Sequence, residues 1–386
     1  MAGGERNVDD DLNELARRFD KLEEHASRRR IEAIRAASDL DKWRDRALLH
    51  GHATPEGSRR LQNRFAGPSS FHRVAQDLAI SSVGIGTSRG AADLQTDAAY
   101  VDALHGAMLG GVNLIDTSIN YRFQRSEVAV GSALRILLET GAGDRDEIIL
   151  CSKGGFLVPG AFSAGSIPGD EVEAGFHSIA APFLADQIDR SRRNIGVATI
   201  DIYYLHNPEV QAPFIGRAAL DKRLAAAFDQ LERSVSDGKI RQYGIATWNG
   251  FHSGALSLSA IAKAARAVGG EDHHLRFVQL PFNQHIQFAA VACDRHGRTV
   301  LDVAEGAGIA VIASASLGIG REPVEDGSRE SRPPGDVAEK LQFVRSTRGI
   351  TSALVGMRRL AHVKANLAIV ASASPERARE TPRSSK

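Results

Sequence analysis

Eight short apolar segments alternate with amphipathic stretches along most of the chain, and this order leaves few folds open. The segments are ISSVGIG, VNLID, EIILCSK, IDIYYLH, QYGIATW, FVQLPFN, AVIASAS and SALVGM. The predicted helices cover residues 96–109, 126–138, 186–194, 224–235, 254–267, 300–305, 337–345 and 362–370. Strict alternation indicates a parallel sheet covered by helices, in which strands buried on both faces are continuously apolar. A doubly wound open sheet also fits this pattern, but the count of eight favours a (β/α)8 TIM barrel.

The chain is longer than one barrel requires, since 386 residues exceed the roughly 250 of a typical barrel. We therefore divide it into an N-terminal helical extension (1–68), the barrel (69–373) and a tail (374–386) expected to be disordered. In the extension, a helix face is predicted by the apolar residues Val8, Leu12, Leu15, Phe19 and Leu22. That helix either packs on the main domain or pairs with a second copy to form a homo-oligomer. Pro55 and Gly57 predict a loop, and the Gly-rich stretch 154–182 predicts a flap over the site.

The composition argues against several partners. The formal net charge is +1, so no strong field exists for nucleic acid or an anionic membrane. There is no run of 18 apolar residues and no signal-like apolar N-terminus, so we expect a cytoplasmic protein. The two cysteines, Cys151 and Cys293, form neither a disulfide framework nor a CxxC metal pattern. The adjacent His273 and His274 point to opposite faces of an extended segment, so we expect no metal site there.

Polar residues stand at the ends of three consecutive predicted strands. Asp116 ends VNLID with Tyr121 five residues later, Lys153 ends EIILCSK, and His206 ends IDIYYLH. The carboxyl ends of barrel strands meet on one face, and that face holds the active site of barrel enzymes. The sequence therefore predicts that these side chains share one pocket.

Together these groups form a coherent acid–base site. A free tyrosine has a pKa of about 10, and a nearby cation lowers it. We expect Lys153 to supply that cation and Asp116 to hold it in place, with Tyr121 as general acid–base. His206 can donate or accept a hydrogen bond at a substrate carbonyl, or relay the proton. Such a site can protonate the oxygen of a carbonyl that accepts hydride, which implies a nicotinamide cofactor.

The motifs GVNLIDTSINY, CSKGG, DIYYLHNP, GKIRQYGIATWN and VQLPFN resemble the aldo-keto reductase superfamily. The likeness runs from about residue 79 to about residue 370. The resemblance implies a (β/α)8 barrel that uses NADPH, less often NADH, without a Rossmann domain. It also implies that Asp116, Tyr121, Lys153 and His206 are the catalytic residues.

The resemblance further implies a cofactor site. Its residues would be Gly86, Thr87, Asp116, Thr247, Gln279, Ser314, Leu317, Gly356, Arg358 and Asn366. The chain departs from the family pattern at Ala246 and at Ser314, which replaces an aromatic residue that stacks on the nicotinamide. Arg358 is the candidate partner of a 2′-phosphate, so NADP(H) is favoured over NAD(H). Phe123, Asn207 and Trp248 would line the substrate pocket.

Three functions fit these observations. The first is NAD(P)H-dependent reduction of an aldehyde or ketone to an alcohol, or the reverse reaction, on a small-molecule substrate. The second is a non-catalytic, cofactor-binding, redox-sensing regulatory subunit on the same fold. The third is a lyase in which Lys153 forms a Schiff base.

Overall fold

Eight parallel strands form a closed barrel in this computed structural model, which describes residues 43–65, 71–163, 172–173, 175–318 and 334–371. The barrel strands are β3 (Val83–Gly86), β4 (Leu114–Asp116), β5 (Ile149–Gly154), β6 (Ile200–His206), β7 (Ile240–Ala246), β8 (Leu275–Pro281), β9 (Ala310–Ser314) and β10 (Ile350–Gly356). Each strand pairs with the next, and β10 pairs with β3 to close the ring. The predicted (β/α)8 barrel is confirmed, and the doubly wound sheet is excluded.

Helices surround the barrel and connect its strands. They are α1 (Pro55–Arg64), α2 (Leu94–Leu109), α3 (Arg125–Glu139), α4 (Ala181–Ile195), α5 (Ala212–Ser236), α6 (Leu258–Gly269), α7 (Phe288–Val291), α8 (Val300–Gly306), α9 (Pro334–Ser346) and α10 (Leu360–Val370). All but one of the eight helices predicted to alternate with the strands lie within these bounds. The exception, 254–267, begins too early because Gly254 has a positive φ of 73° and Ser257 caps the helix through its hydroxyl.

The segment ISSVGIG is two strands rather than the predicted one. Its first part belongs to β2 (Leu78–Ser81), which pairs antiparallel with β1 (His72–Ala75) outside the barrel. All four residues of β2 are buried, and Ile80 packs with the apolar side chains inside the barrel. This β1–β2 hairpin closes the lower end of the barrel, where the strands begin.

The loop predicted from Pro55 and Gly57 is wrong, because both residues belong to helix α1. The Thr54 hydroxyl accepts from the Gly57 backbone N–H at 2.9 Å, and proline is tolerated in the first turn because its missing N–H is not needed there. Glycine is required at 57 because a Cβ atom would lie 2.3 Å from the carbonyl oxygen of Asp146. Pro55 and Gly57 therefore mark the start of helix α1, which packs closely against the residues that precede β5.

Apolar residues form two clusters, one on each side of the barrel wall. The smaller cluster fills the interior and includes Leu114, Cys151, Tyr204, Phe277 and Leu354. The larger cluster lies between the strands and the surrounding helices. Alternate residues of each strand face these two sides, so the sequence period of two decides which side chains enter the barrel.

Replacement of Gly244 on β7 by alanine should destabilise the barrel. A Cβ atom there would lie 2.3 Å from the carbonyl oxygen of Phe277, so the strands would have to move apart. We expect the free energy of unfolding to fall by about 1–3 kcal/mol in urea titrations. The control is Gly306→Ala in helix α8, where a Cβ meets no atom within 4 Å, and it should leave stability unchanged or slightly higher. Equal stability of the two variants would contradict this packing.

Most of the predicted N-terminal extension lies outside the described residues, as does the predicted tail. The helix face from Val8 to Leu22, and the oligomer contact suggested for it, therefore stay predictions. No helix in the described ranges is long and apolar enough to cross a membrane. Within those ranges, no cluster of three or more histidine, cysteine, aspartate or glutamate residues could hold a metal ion.

Candidate active site

One inward-facing position near the end of each barrel strand contributes to a ring at the upper end of the barrel. On β4, β5, β6 and β8 this position carries a long polar side chain: Asp116, Lys153, His206 and Gln279. On β3, β7, β9 and β10 it carries a small residue: Gly86, Ala246, Ser314 and Gly356. On six strands this residue comes two positions after a member of the interior cluster, so it faces the same side. Ala246 belongs to that cluster itself, and Gly86 comes two positions after Gly84, whose Cβ would meet Leu354 and Leu114. Strands β4, β5 and β6 therefore form a polar arc, and β9, β10 and β3 form an open arc on the other side of the ring.

Lys153 joins the predicted catalytic residues. Its ammonium Nζ donates to Asp116 Oδ2 at 2.7 Å, to the Thr117 carbonyl oxygen at 2.9 Å and to the Tyr121 hydroxyl at 3.2 Å. The Lys153 side chain is fully buried, and Asp116 is nearly so. All three ammonium protons are used, which leaves no lone pair for attack on a carbonyl. This arrangement argues against the Schiff-base lyase.

Lys153 stays charged as expected, but the pKa of Tyr121 shifts in the direction opposite to the expected one. Burial alone would lower the pKa of Lys153, but Asp116 and Tyr121 raise it overall, so the residue stays an ammonium ion. Burial raises the pKa of Tyr121, and the Lys153 charge offsets only part of that effect. The predicted lowering of the Tyr121 pKa is therefore wrong for this structure, because desolvation outweighs the cation. The phenol is fully protonated at neutral pH.

Ser118 and Tyr121 contact the His206 ring, and His177 binds the His206 backbone carbonyl. Its Nδ1 atom lies 3.2 Å from the Ser118 hydroxyl, and its ring meets Tyr121 edge to face with centroids 5.8 Å apart. Its backbone carbonyl accepts from His177 Nε2 at 2.8 Å. Burial lowers the pKa of His206 well below its usual range, with Lys153 and His177 adding to the effect. The imidazole is therefore neutral.

The described parts of the predicted flap pack against His206. Phe156 meets the His206 ring edge to face at 4.9 Å and the His177 ring at 5.0 Å. His177 also receives a hydrogen bond from Gln211 Nε2 at 3.1 Å, and burial lowers its pKa to about 4. Residues 164–171 and residue 174 of this loop lie outside the described residues. Both ends of the loop thus form part of the site wall.

Several predicted cofactor residues stand around the open arc. Gln279 Nε2 donates to Asp116 Oδ1 at 2.9 Å, which leaves its carbonyl oxygen to accept a hydrogen bond. Thr87 donates to the Asp116 carbonyl oxygen at 3.1 Å. Leu317 follows β9 and is half-buried, and Asn366 is buried on α10.

The hydroxyl proton of Thr247, a predicted cofactor-site residue, is already used in the structure. The hydroxyl donates to the carboxylate Oε1 of Glu209 at 2.7 Å. The same oxygen accepts from the backbone N–H of Trp248 at 2.8 Å and of Asn249 at 3.2 Å. Glu209 is buried, and burial raises its pKa. The turn after β7 is therefore held by Glu209, which the sequence did not single out.

Arg358 lies beside the loop after β3. Its Nη1 atom is 2.7 Å from the place that a Cβ atom on Gly90 would occupy, and Gly90 has a positive φ of 97°. Arg89 is exposed, with its side chain near Gly356. Two guanidinium groups therefore flank the upper ends of β3 and β10, near the start of helix α10.

The predicted substrate-pocket residues follow strand ends or Tyr121. Asn207 comes directly after β6, and Trp248 follows shortly after the end of β7. Both residues are partly exposed. Phe123 packs partly buried against the apolar cluster of Ile119, Val158 and Ala161. The structure places all three predicted residues at the upper end of the barrel.

The backbone beside Tyr121 is strained. Arg122, Phe123 and Gln124 have φ values of 50°, 54° and 74°, which non-glycine residues rarely adopt. The Asp97 carboxylate on helix α2 binds both Arg122 and Arg125, with a contact of 2.8 Å to the Arg125 Nε. These ion pairs are mostly buried and hold the strained segment in place.

Comparisons with known proteins agree with this geometry. The sequence profile described as "Aldo/keto reductase family" matches residues 82–386. The chain belongs to the aldo/keto reductase family. The resemblance seen in the sequence motifs is thereby confirmed.

Two curated members of the aldo/keto reductase family show the range of relatives. A 6-dehydroglucose reductase from Novosphingobium aromaticivorans is 26% identical over 289 residues, covering 74% of this chain and 79% of that protein. An NADH-specific methylglyoxal reductase from Escherichia coli is 30% identical over 184 residues, covering 46% of this chain and 51% of that protein. The reductases in this group thus include one described as NADH-specific.

Solved aldo/keto reductase structures share the fold. One from Klebsiella pneumoniae, in complex with NADP and acetate, superposes with a TM-score of 0.54 at 20% identity, covering 78% of this chain and 89% of that one. A glycerol dehydrogenase from Gluconobacter oxydans superposes with the same TM-score and identity, covering 78% and 90%. At this identity the likeness establishes the barrel architecture alone.

Proposed function

We propose that this chain is an NADPH-dependent oxidoreductase that reduces an aldehyde or ketone to an alcohol, with Tyr121 as proton donor. One observation supports the proposal above all others. The buried Lys153 ammonium bridges Asp116 Oδ2 and the Tyr121 hydroxyl. A phenol held against a permanent cation is suited to lose its proton to a developing alkoxide.

The residues of the chain handle the proton. Tyr121 enters the reaction protonated because burial raises its pKa. As the carbonyl carbon is reduced, the phenol proton passes to the carbonyl oxygen. The phenolate that remains is stabilised by Lys153, whose Nζ is 4.7 Å from the centre of the tyrosine ring. Asp116 holds Lys153 charged throughout.

The open arc of the ring fits a nicotinamide cofactor. A Cβ atom on Gly86 would meet its nearest neighbour only at 3.9 Å, so the upper end of β3 leaves space beside Asp116. The free carbonyl oxygen of Gln279 can accept from the cofactor carboxamide, and Ser314 leaves room where a larger residue would not. When bound there, reduced nicotinamide supplies a hydride.

Arg358 is our candidate for distinguishing NADPH from NADH. A guanidinium group suits bidentate contact with a phosphate, and Arg358 lies beside Gly90 at the start of helix α10. We expect Arg358→Ala to raise the Kd of NADPH about tenfold and that of NADH less than twofold, measured by fluorescence quenching. The control is Arg359→Ala at the exposed neighbouring position. Equal weakening of both cofactors would refute this role.

A carbonyl panel tests the proposed function directly. Protein saturated with the preferred reduced cofactor is mixed with aldehydes and ketones, and cofactor oxidation is followed at neutral pH. We expect turnover of at least one aldehyde with one equivalent of alcohol formed for each cofactor oxidised. Tight cofactor binding without any turnover would instead support the regulatory subunit considered above.

A further inference from the structure

The segment 43–54, which precedes helix α1, binds the outside of the barrel, and we call it the N-terminal strap. The backbone N–H and carbonyl of Leu49 each form a 2.8 Å hydrogen bond with the loop between helix α4 and β6. The Trp43 indole N–H donates to the carbonyl oxygen of Asn194, near the end of helix α4, at 2.7 Å. The strap is therefore docked on the barrel through both its backbone and its side chains.

Arg44 of the strap reaches the end of the turn that presents Tyr121. Its Nη2 donates to the side-chain oxygen of Gln124 at 2.8 Å, and its Nε donates to Asn194 Oδ1 at 2.8 Å. The Asn194 amide donates to the same Gln124 oxygen at 3.2 Å. Gln124 is buried, so these bonds are shielded from water. The strap thus holds a side chain three positions after Tyr121.

Gln124 has a backbone conformation that a non-glycine residue rarely adopts. Its φ is 74°, in the left-handed region, where the Cβ atom crowds the following carbonyl oxygen. Helix α3 starts from this residue, because its carbonyl accepts from the Glu127 N–H at 3.1 Å. The Gln124 side chain does not cap the helix, and in the described ranges its hydrogen bonds go to Arg44 and Asn194. These two bonds therefore oppose relaxation of the backbone.

The same network extends to the strand that carries Lys153. Asn194 Nδ2 also donates to Glu127 Oε2 at 2.6 Å, and the Ser152 hydroxyl donates to Glu127 Oε1 at 2.6 Å. Both Glu127 and Ser152 are fully buried, and Ser152 directly precedes Lys153 on β5. Burial raises the pKa of Glu127, and the charge of Arg44 acts in the opposite direction. One buried network therefore connects the strap with the turn and with β5.

We propose that Arg44 is a positioning residue: by anchoring Gln124, it keeps the Tyr121 hydroxyl in place for proton transfer to the substrate. The inference rests on the proposed carbonyl reduction and makes the N-terminal strap part of the support of the active site. The Tyr121 hydroxyl lies 3.2 Å from the Lys153 ammonium, so a small movement of the turn would separate the two. A displacement of about 1 Å can slow a reaction about a hundredfold.

The kinetic test compares Arg44→Ala with Arg135→Ala. We expect Arg44→Ala to lower kcat about tenfold and to change the KM of the aldehyde and the Kd of NADPH less than about twofold, because only the proton donor is displaced. Arg135 donates to the Ala47 carbonyl oxygen at 2.6 Å, so it binds the strap rather than the turn. Arg135→Ala should therefore keep kcat within about twofold of the unmodified value. An unchanged kcat in Arg44→Ala, or an equal loss in both variants, would overturn the proposal.

Glycine at position 124 tests whether Arg44 acts through the turn. Glycine adopts the left-handed conformation without steric penalty, so the backbone of Gln124→Gly does not depend on an anchor. We expect Arg44→Ala to lower kcat less than about twofold in the Gln124→Gly protein, against about tenfold in the unmodified protein. A purely structural role would give the same loss in both backgrounds, and that result would contradict positioning by Arg44.

Hydrogen–deuterium exchange reports on the turn without any turnover. Backbone N–H groups of residues 121–128 bond within the turn and the start of helix α3. We expect them to exchange about tenfold faster in Arg44→Ala and at the unmodified rate in Arg135→Ala. If no carbonyl is reduced but exchange responds in this way, the proposed function fails while the anchoring of the turn by Arg44 stands. Exchange that is unchanged in Arg44→Ala, or that rises over the whole barrel, would show that Arg44 does not anchor this turn.

Discussion

Tyr121→Phe should lower the rate of carbonyl reduction by about 10²- to 10⁴-fold, the usual contribution of a positioned general acid. The substitution removes only the hydroxyl that Lys153 Nζ contacts at 3.2 Å. Lys153 keeps its bonds to Asp116 and to the Thr117 carbonyl, so the rest of the site retains its geometry. We therefore expect the Kd of NADPH to change less than twofold, as measured by fluorescence quenching alongside steady-state kinetics.

Tyr243→Phe is the matched control for this experiment. Tyr243 lies on β7, but its hydroxyl donates to Glu232 on helix α5, outside the barrel. Loss of that hydroxyl should leave the reduction rate within about twofold of the unmodified protein and lower stability by about 1 kcal/mol. A Tyr121→Phe variant that reduced aldehydes at the unmodified rate would show that another group supplies the proton.

Lys153→Met should damage both stability and activity. It leaves the Asp116 carboxylate buried with only the Gln279 amide as a side-chain partner. Removing one member of a buried ion pair typically costs about 3–5 kcal/mol, and we expect a loss of that size in urea unfolding. Reduction should fall at least a hundredfold, because the phenolate left by proton transfer loses its adjacent charge.

The double variant Lys153→Met, Asp116→Asn separates these two effects. It removes the unpaired charge, so we expect at least half of the lost stability to return. Activity should stay low, because no cation is restored beside Tyr121. Recovery of activity together with stability would mean that Lys153 acts only by keeping the fold intact.

The sequence was sufficient to predict that the candidate catalytic residues lie together, because parallel strands of a barrel end on the same face. Asp116, Lys153 and His206 each end an apolar run, and parallel strands bring such ends to one face. The period of two along each strand then points all three side chains inward. Tyr121 is near them because only four residues separate it from Asp116.

The groups that hold the site in place could not be predicted in the same way. His177 lies in a loop without periodicity, and its contact with the His206 carbonyl joins residues 29 positions apart. Glu209 binds the turn after β7 through backbone N–H groups, which leave no mark in the sequence. Arg44 binds the turn after Tyr121 across 80 positions of the chain, and no local pattern indicates that contact. The sign of the Tyr121 pKa shift also depends on burial, which periodicity does not measure.

The pair of arginines bound by Asp97 has a consequence for protein engineering. Arg122 is the first of three residues in unfavourable backbone conformations, and Arg125 directly follows the last of them. The acid that binds both arginines belongs to a different connection of the barrel. The turn that presents the phenol is therefore not a portable module. If this turn were grafted onto another scaffold without helix α2, which carries Asp97, its backbone would relax. The Tyr121 hydroxyl would then move away from the Lys153 ammonium.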